Sequence, residues 1–590
     1  MGKIIAVFII VAFLLGFFLY NHSGFTDTEG RVDLRLVWGQ EPVSFDPAII
    51  TGVLEDRFAK SFFEGLITYD KDNVTPTPGI AKSWDISSDL KKYTFHLRES
   101  KWSNGEPLTA HDFRYSWFRV LNEMDVEYVY MLYYIKGAEA YQNNLTADVM
   151  LNAFDSKGSD EKIETLHKLS PFVNLSHRNR LEQILGKEEG TTVKTELAKL
   201  IEAASKREAI TEESVGIKVL DDYTLEVTLG NPTPFFLDIV GFMTLLPVNK
   251  KCVEKYGRSW IKPENMVCNG PFVLAKWMPN HSILMAKNTY YWGKDNVKLS
   301  NVLCYSVKKT DTGFNYYETN TVDWIDRFSM PAEFIEYLSL RSDVKKFSSF
   351  NTSFLRFNVT KPPFDNVEVR KAFTMAINKE DITKYVTRGG EIPTDFLIPD
   401  GIKDYKSPAG LHYNPDKAKQ LLKKHYPDIA TFPRIEYLTN DRSISGRVFE
   451  LLQKQWQDIL GVKIDIKRQE WKVYLDSLSK LEYNIASGGW MGDYYDPNTF
   501  ADMWVTGGGN NRTGWGKKEY DDLIAAAATE GDVKKRFEIF YKSEKMILED
   551  ETIIVPLYNA VEYIMYKPYV KGLNTNIMSR FLLRNVYIEK

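Results

Sequence analysis

Two hydrophobic periods take turns along this chain, and their alternation restricts the fold more than any other feature. Tyr93-Thr94-Phe95-His96-Leu97-Arg98 places apolar residues at every second position, the pattern of a strand with one buried face. Asp222 to Leu229 repeats it after the turn-like Asp221-Asp222 pair. Elsewhere the period is helical. Asn414-Pro415-Asp416 supplies an N-cap and a proline at the first helical position, and Ala418, Leu421 and Leu422 share one face. Ser445 to Leu460 reads as another helix, with Ser445 as its N-cap and Gly461 closing it. Val462-Lys463-Ile464-Asp465-Ile466 then alternates as a strand. Helices handing over to strands predict α/β layers. At 590 residues and 44% apolar content the chain exceeds one ordinary core, so two or three lobes are expected.

The ends of this pattern are informative. Residues 1–24 form a hydrophobic signal or anchor segment: Lys3 precedes an unbroken apolar run from Ile4 to Tyr20, and Asp27, Glu29 and Arg31 follow. A positive start favours export of the rest. No small-residue cleavage site and no lipid-accepting cysteine follow the run. An uncleaved anchor in the inner membrane is therefore preferred over a cleaved signal peptide, with the bulk of the chain in the periplasm or cell envelope. Three cysteines occur, Cys252, Cys268 and Cys304; a Cys252–Cys268 bridge and three buried thiols are both open. From about Asn143 to Glu213 the chain is rich in Lys, Glu, Ser, Asn and Ala, and its aromatics reduce to Phe154 and Phe172. This reads as a helical surface insertion, with Thr192 to Arg207 among its helical runs.

Composition and motifs exclude several functions. Lys and Arg number 75 against 79 Asp and Glu, for a net charge of −4, so no basic face is available for nucleic acid. No H-E-x-x-H pattern, Cys/His cluster, G-x-S-x-G elbow or phosphate-binding G-x-x-x-x-G-K-[ST] loop is present. Gly507-Gly508-Gly509 lacks the Lys-Ser/Thr that such a loop needs and reads as a flexible loop. No cofactor and no metal site are expected. An envelope hydrolase, glycosidase or peptidase, stays as the alternative of a different class, since carboxylates are too numerous to exclude an acid/base pair by eye.

One long stretch carries more information than the rest. Gly79-Ile80-Ala81-Lys82-Ser83-Trp84, the Tyr93–Arg98 strand and Lys101-Trp102-Ser103-Asn104-Gly105-Glu106-Pro107-Leu108-Thr109-Ala110-His111-Asp112-Phe113 follow one another. Together they closely resemble the signature of the family 5 extracellular solute-binding proteins, which includes the oligopeptide- and dipeptide-binding proteins of ABC importers. Further segments agree in order: Ser44-Phe45-Asp46-Pro47, Phe63-Glu64-Gly65-Leu66, Asn269-Gly270-Pro271-Phe272, Pro362-Pro363-Phe364-Asp365-Asn366 with Val369-Arg370-Lys371-Ala372, and Gly489-Trp490-Met491-Gly492-Asp493-Tyr494. The resemblance covers about residues 32–590, and the 143–213 insertion is its main departure.

The resemblance implies an α/β clamshell of the periplasmic-binding-protein type (type II, cluster C) with an extra domain and mixed sheets flanked by helices. Lobe I would hold 32–63, 250–350 and 561–590; a second domain 64–249, including the insertion; lobe II 351–560. It also implies a monomer that captures oligopeptides and delivers them to the permease subunits of an ABC transporter, although relatives take nickel complexes, haem, sugars or opines. Asp493 aligns with the aspartate that binds a peptide's α-amine. Trp490 and Trp471 align with rings that wall side-chain pockets, Gly489 and Met491 flank Trp490, and Tyr128 aligns with a ligand-contacting tyrosine of the opposing lobe. Two positions depart from the pattern. Ser487 stands where an arginine can reach a short peptide's carboxylate, and Thr51 stands where an acidic residue is expected.

Overall fold

The computed structural model describes residues 31–589, apart from 71–73, 124–125, 332–333, 408–409 and 441–442. The expected N-terminal anchor lies outside the described residues. Among the described residues no helix is long and apolar enough to cross a membrane.

The chain is organised on one mixed sheet of eleven strands. Its order runs Phe272–Met278, Ser282–Lys287, Asn301–Tyr305, Leu34–Val37, Trp324–Asp326, Ile554–Tyr566, Val344–Phe357, Ile485–Met491, Ile435–Asn440 and Ile464–Gln469, with Ile392–Pro393 added beside Ile554–Tyr566. The first five strands belong to lobe I and the last three to lobe II. Two long strands, Val344–Phe357 and Ile554–Tyr566, run antiparallel to each other through both lobes. Their pairing is interrupted between Ser348↔Val561 and Thr352↔Asn559, where three residues of one strand oppose one of the other. A bulge of this kind breaks the ladder and increases local twist, so it is where the pair can bend. The lobe boundaries expected at 350/351 and 560/561 therefore fall inside continuous strands, because the lobes share backbone.

Separate apolar clusters fill the lobes. Lobe I and the second domain share one core, built around Trp38, Phe45, Phe58, Phe62, Trp117 and Trp324. The strand expected at Tyr93–Arg98 spans Lys92–Leu97 in a four-stranded sheet, with its alternate residues buried. The Asn-Gly-Pro-Phe turn and the Phe-Glu-Gly-Leu segment clasp each other: Asn269 Nδ2 donates to Glu64 O at 2.8 Å, and the Glu64 amide donates to Asn269 Oδ1 at 3.2 Å. A Cβ on Gly270 would meet the Phe62 backbone at 2.5 Å, so that position demands glycine. Lobe II has its own clusters, one around Phe373 and Trp456 and one around Phe500 and Trp504.

Local readings hold with shifts. Asn414 caps the helix Pro415–His425 by accepting from the Lys417 amide at 3.0 Å. The next helix spans Ser443–Leu460, so Ser445 lies within it rather than capping it. Gly461 follows at φ +74°, the left-handed conformation that ends a helix, and the strand after it is Ile464–Gln469. The three cysteines are free and buried. Cys252 Sγ donates to Asn265 O and Cys268 Sγ to Phe272 O, and burial pushes the Cys268 thiol up to about 12.

The insertion is a helical bundle. Its first helix spans Ala138–Asn152, so the boundary expected at Asn143 falls inside it. Helices Ser159–Leu169, Arg178–Lys187 and Thr191–Ser205 follow. Twelve buried residues from Ala147 to Ala204 form a cluster separate from the main core. The excursion closes on a narrow stem: the Gly216 amide donates to Lys136 O at 2.8 Å, and a Cβ on Gly137 would meet Ser214 O at 2.6 Å. Loop-closure cost changes slowly with length. Replacing 145–210 by a short Gly/Ser joint should therefore leave the remaining chain folded, with one calorimetric transition lost or merged and ligand affinity unchanged. A variant that fails to fold would show that the bundle supports the main core.

Candidate ligand site between the lobes

The strand Ile485–Met491 carries the centre of the site. It pairs antiparallel with Val344–Phe357, so Gly489 faces Ser353, Trp490 faces Thr352 and Met491 faces Asn351. The chain then continues as a turn. The Gly492 amide donates to Phe350 O at 2.8 Å, and a Cβ on Gly492 would lie 2.3 Å from the Phe350 ring. Glycine is thus required for the turn to pack. Thr499 Oγ1 accepts from the Asp493 amide at 3.0 Å and from Trp490 Nε1 at 3.4 Å. These bonds fix the direction in which Asp493 leaves the sheet.

Asp493 points across the lobe boundary. Tyr130 of the second domain donates its hydroxyl to Asp493 Oδ2 at 2.9 Å. Beside it, Tyr134 donates to Asp502 Oδ2 at 3.1 Å, and Phe235 stacks on Tyr494 with centroids 4.8 Å apart and planes 2° from parallel. Tyr130, Tyr134 and Phe235 thus close on Asp493, Tyr494 and Asp502 as one interlobe contact. The cation nearest in role, Arg536, is committed to Asp496 through two bonds of 2.6 and 2.8 Å.

Electrostatics at this contact are one-sided. Burial pushes the Asp493 carboxyl up from 3.8 to about 7; the Tyr130 bond opposes the shift, and Asp502 and Glu127 add to it. Asp502 is likewise raised to about 7 by burial, against hydrogen bonds from Tyr134 and Tyr494. Among the described residues no ion pair reaches either carboxylate. Two carboxyls enclosed without a cation form a site that favours a positive group.

A cavity of about 440 Å3 opens alongside. Trp471, Ser487, Gly489, Trp490 and Met491 of lobe II line it, and Glu127 enters from the second domain. Trp471, 45% exposed, stacks on Tyr474 with centroids 5.5 Å apart. Of the six residues expected at the site, Trp471, Gly489, Trp490 and Met491 share this wall. Asp493 stands just beyond it, at the lobe contact. Tyr128 directs its hydroxyl to Thr51 O at 3.3 Å rather than to Asp493, and its ring packs on Tyr130 and Phe242. Tyr130, two residues on, makes the bond. The signal for it was the Tyr128-Val129-Tyr130 pair itself. Tyr474, Asn440, Tyr558, Arg356 and Arg512 also line the cavity and carried no signal in the sequence.

Two lobes sharing two crossover strands, with a walled cavity between them, define a clamshell solute-binding protein. The chain matches the model of the bacterial extracellular solute-binding proteins, family 5, over residues 75–512, and it belongs to that family. It is 32% identical to the dipeptide-binding protein DppE of Bacillus subtilis over 559 residues, covering 92% of this chain and 90% of that protein. A periplasmic oligopeptide-binding protein of Borrelia burgdorferi superposes with a TM-score of 0.73 at 30% identity, covering 95% of this chain and all of the other. The OppA of Haemophilus influenzae, solved in complex with RPPGFSPFR, superposes at 0.71 with 27% identity, covering 96% and 100%.

The Tyr130 bond is testable on its own. Carbon-13 carboxyl NMR of the unliganded, closed protein should show Asp493 titrating near 7. Tyr130→Phe removes a donor to the ionised form and should move that titration higher. An unchanged or lower value in the variant would mean that Tyr130 does not hold the carboxylate.

Proposed function

We propose that this protein captures peptides between its lobes and delivers them to an ABC import system. The observation that carries the reading is the carboxylate of Asp493, enclosed at the lobe contact beside a walled cavity and lacking a cation. A peptide's amino terminus is the cation that fits. Its ammonium can accept the place between Asp493 and Glu127, while its backbone runs beside the Ile485–Met491 strand. Main-chain pairing gives affinity without reading side chains, and the rings of Trp471 and Trp490 give the side chains apolar walls. Gly489 leaves the strand open to approach, and Met491 offers an adaptable surface. In this reading Tyr128 acts through Tyr130, packing against it rather than touching ligand.

The names of the relatives support the assignment. DppE is a dipeptide-binding protein, and the Haemophilus OppA was solved with a peptide. The family description places such proteins outside the cytoplasm. We also infer, from Ile4–Tyr20 alone, an N-terminal tether to the membrane; a mature protein beginning near Asn21 would contradict it.

Proton linkage fixes the pH dependence. The empty closed fold holds Asp493 up near 7, so its protonated form is favoured there. The burial cost to stability is absent below the ordinary carboxyl value and complete above about 7. An ammonium lowers the carboxyl again, so binding releases a proton and affinity must fall as pH drops below about 7. Calorimetry should show this fall for a free-amine peptide and not for its N-acetylated form. Asp493→Asn strands the ammonium in the closed site, a loss of about 3–5 kcal/mol for a broken buried pair. That is roughly a hundredfold or more in affinity. Equal affinities of variant and wild type would remove Asp493 from the site.

A further inference from the structure

The cavity contains two cations that the fold leaves unpaired. Arg356 stands on the long strand Val344–Phe357, is 5% exposed, and lines the cavity. Its Nε and Nη1 are buried without a hydrogen-bond partner. Arg512 lines the same cavity, and its Nε is also buried without a partner. Among the described residues neither guanidinium forms an ion pair, and Arg512 is depressed by burial and then by the charge of Arg356, with Tyr474 and the Glu127 carboxylate opposing. Phe354, 5.3 Å from the Arg356 guanidinium, is an aromatic ring and not a counter-ion.

Both arginines are built into place. A Cβ on Gly488 would meet the Phe354 ring at 2.6 Å and Arg356 Nη2 at 3.0 Å, so the glycine opposite Phe354 leaves room for that ring and for the guanidinium beside it. Arg512 follows Asn511, whose Nδ2 donates to Trp504 O, Val505 O and Trp515 O at 2.8–3.1 Å. Tyr483 donates its hydroxyl to Arg512 O. A buried guanidinium beside a second, partly exposed one is costly unless something compensates them. Ser487, which stands where the family resemblance expects an arginine, turns its hydroxyl to Thr439 Oγ1 at 3.0 Å.

We propose that Arg356 and Arg512 together form an anion subsite that takes a carboxylate of the bound ligand. The proposal deepens the peptide reading and rests on it: the ligand is held at Asp493 by its ammonium and at the arginine pair by a negative group. Guanidinium suits this role, since its donors match both oxygens of a carboxylate. Gly488 lies five residues before Asp493, at most about 16 Å of backbone, since the strand ends at Met491 and the chain turns at Gly492. That distance is spanned by at most four or five extended residues, on the order of 3.5 Å each. A peptide of this length places its own C-terminal carboxylate at the pair, and a longer one would need a Glu or Asp side chain there.

Calorimetry on the full-length protein separates the sources. Tetra-alanine should bind at least tenfold more tightly than tetra-alanine amide. Among amidated octapeptides of alanine with one substitution at position four or five, Glu should bind more tightly than Gln if a side chain is the source. Arg512→Gln and Arg356→Gln should abolish whichever difference the wild type shows, while N-acetylation still weakens binding in both variants. If Arg356→Gln fails to fold, the wild-type comparisons and the partly exposed Arg512 decide the matter. Equal binding of acid and amide, and of Glu and Gln, overturns the anion subsite and leaves peptide capture standing. No binding of any of these peptides overturns both.

Discussion

A carboxylate enclosed between two lobes without a cation is the constraint on which the rest of the structure turns. Asp493 reaches out of lobe II to the Tyr130 hydroxyl of the second domain, and one neutral hydrogen bond does not replace the water that closure removes. Its carboxyl rises to about 7 for that reason. Tyr134, Asp502, Phe235 and Tyr494 extend the contact around it. The closed form is therefore well packed and electrostatically incomplete. In the proposed reading a cationic ligand completes it, and capture and closure become one event.

The sheet makes such closure mechanically simple. Both crossover strands are irregular at the same level, where residues 349–351 oppose a single position of the partner strand. In the proposed reading, bending there would move whole lobes, with Phe350 of that level carried in a lobe II cluster and the main core of lobe I on the other side. The site strand Ile485–Met491 pairs directly with one crossover strand. A change at the hinge is thus transmitted to the cavity wall through hydrogen-bonded backbone.

Much of this was legible in the sequence, and the gaps have physical reasons. The Lys92–Leu97 strand and the Asn414-capped helix follow from local pattern, and both formed as the residues dictate. The family-like segments proved to be the places where distant backbone meets, as at Glu64 and Asn269. Asp493 could be singled out because its surroundings are contiguous, from Gly489 to Tyr494. Tyr130 could not be distinguished from Tyr128, since the choice depends on a contact with a residue 363 positions away. Arg356 sits in a run, Phe354-Leu355-Arg356-Phe357, whose pattern marks a strand and nothing more. The role proposed for it rests on its place in the cavity wall beside Arg512, 156 positions away, which sequence pattern does not reveal. The stretch after Gly507-Gly508-Gly509 reads as a loop, and its order comes from three carbonyls gathered by Asn511.

The central claim is that, once Asp493 is ionised above about 7, closure depends on a cation supplied to it. Small-angle X-ray scattering at pH 8 tests it most directly, comparing the empty protein with the protein plus a free-amine tetrapeptide and plus its N-acetylated form at equal concentration. The account predicts a smaller radius of gyration with the free-amine peptide and the dimensions of the empty protein with the acetylated one. Equal compaction by both peptides, or no compaction by either, would contradict it.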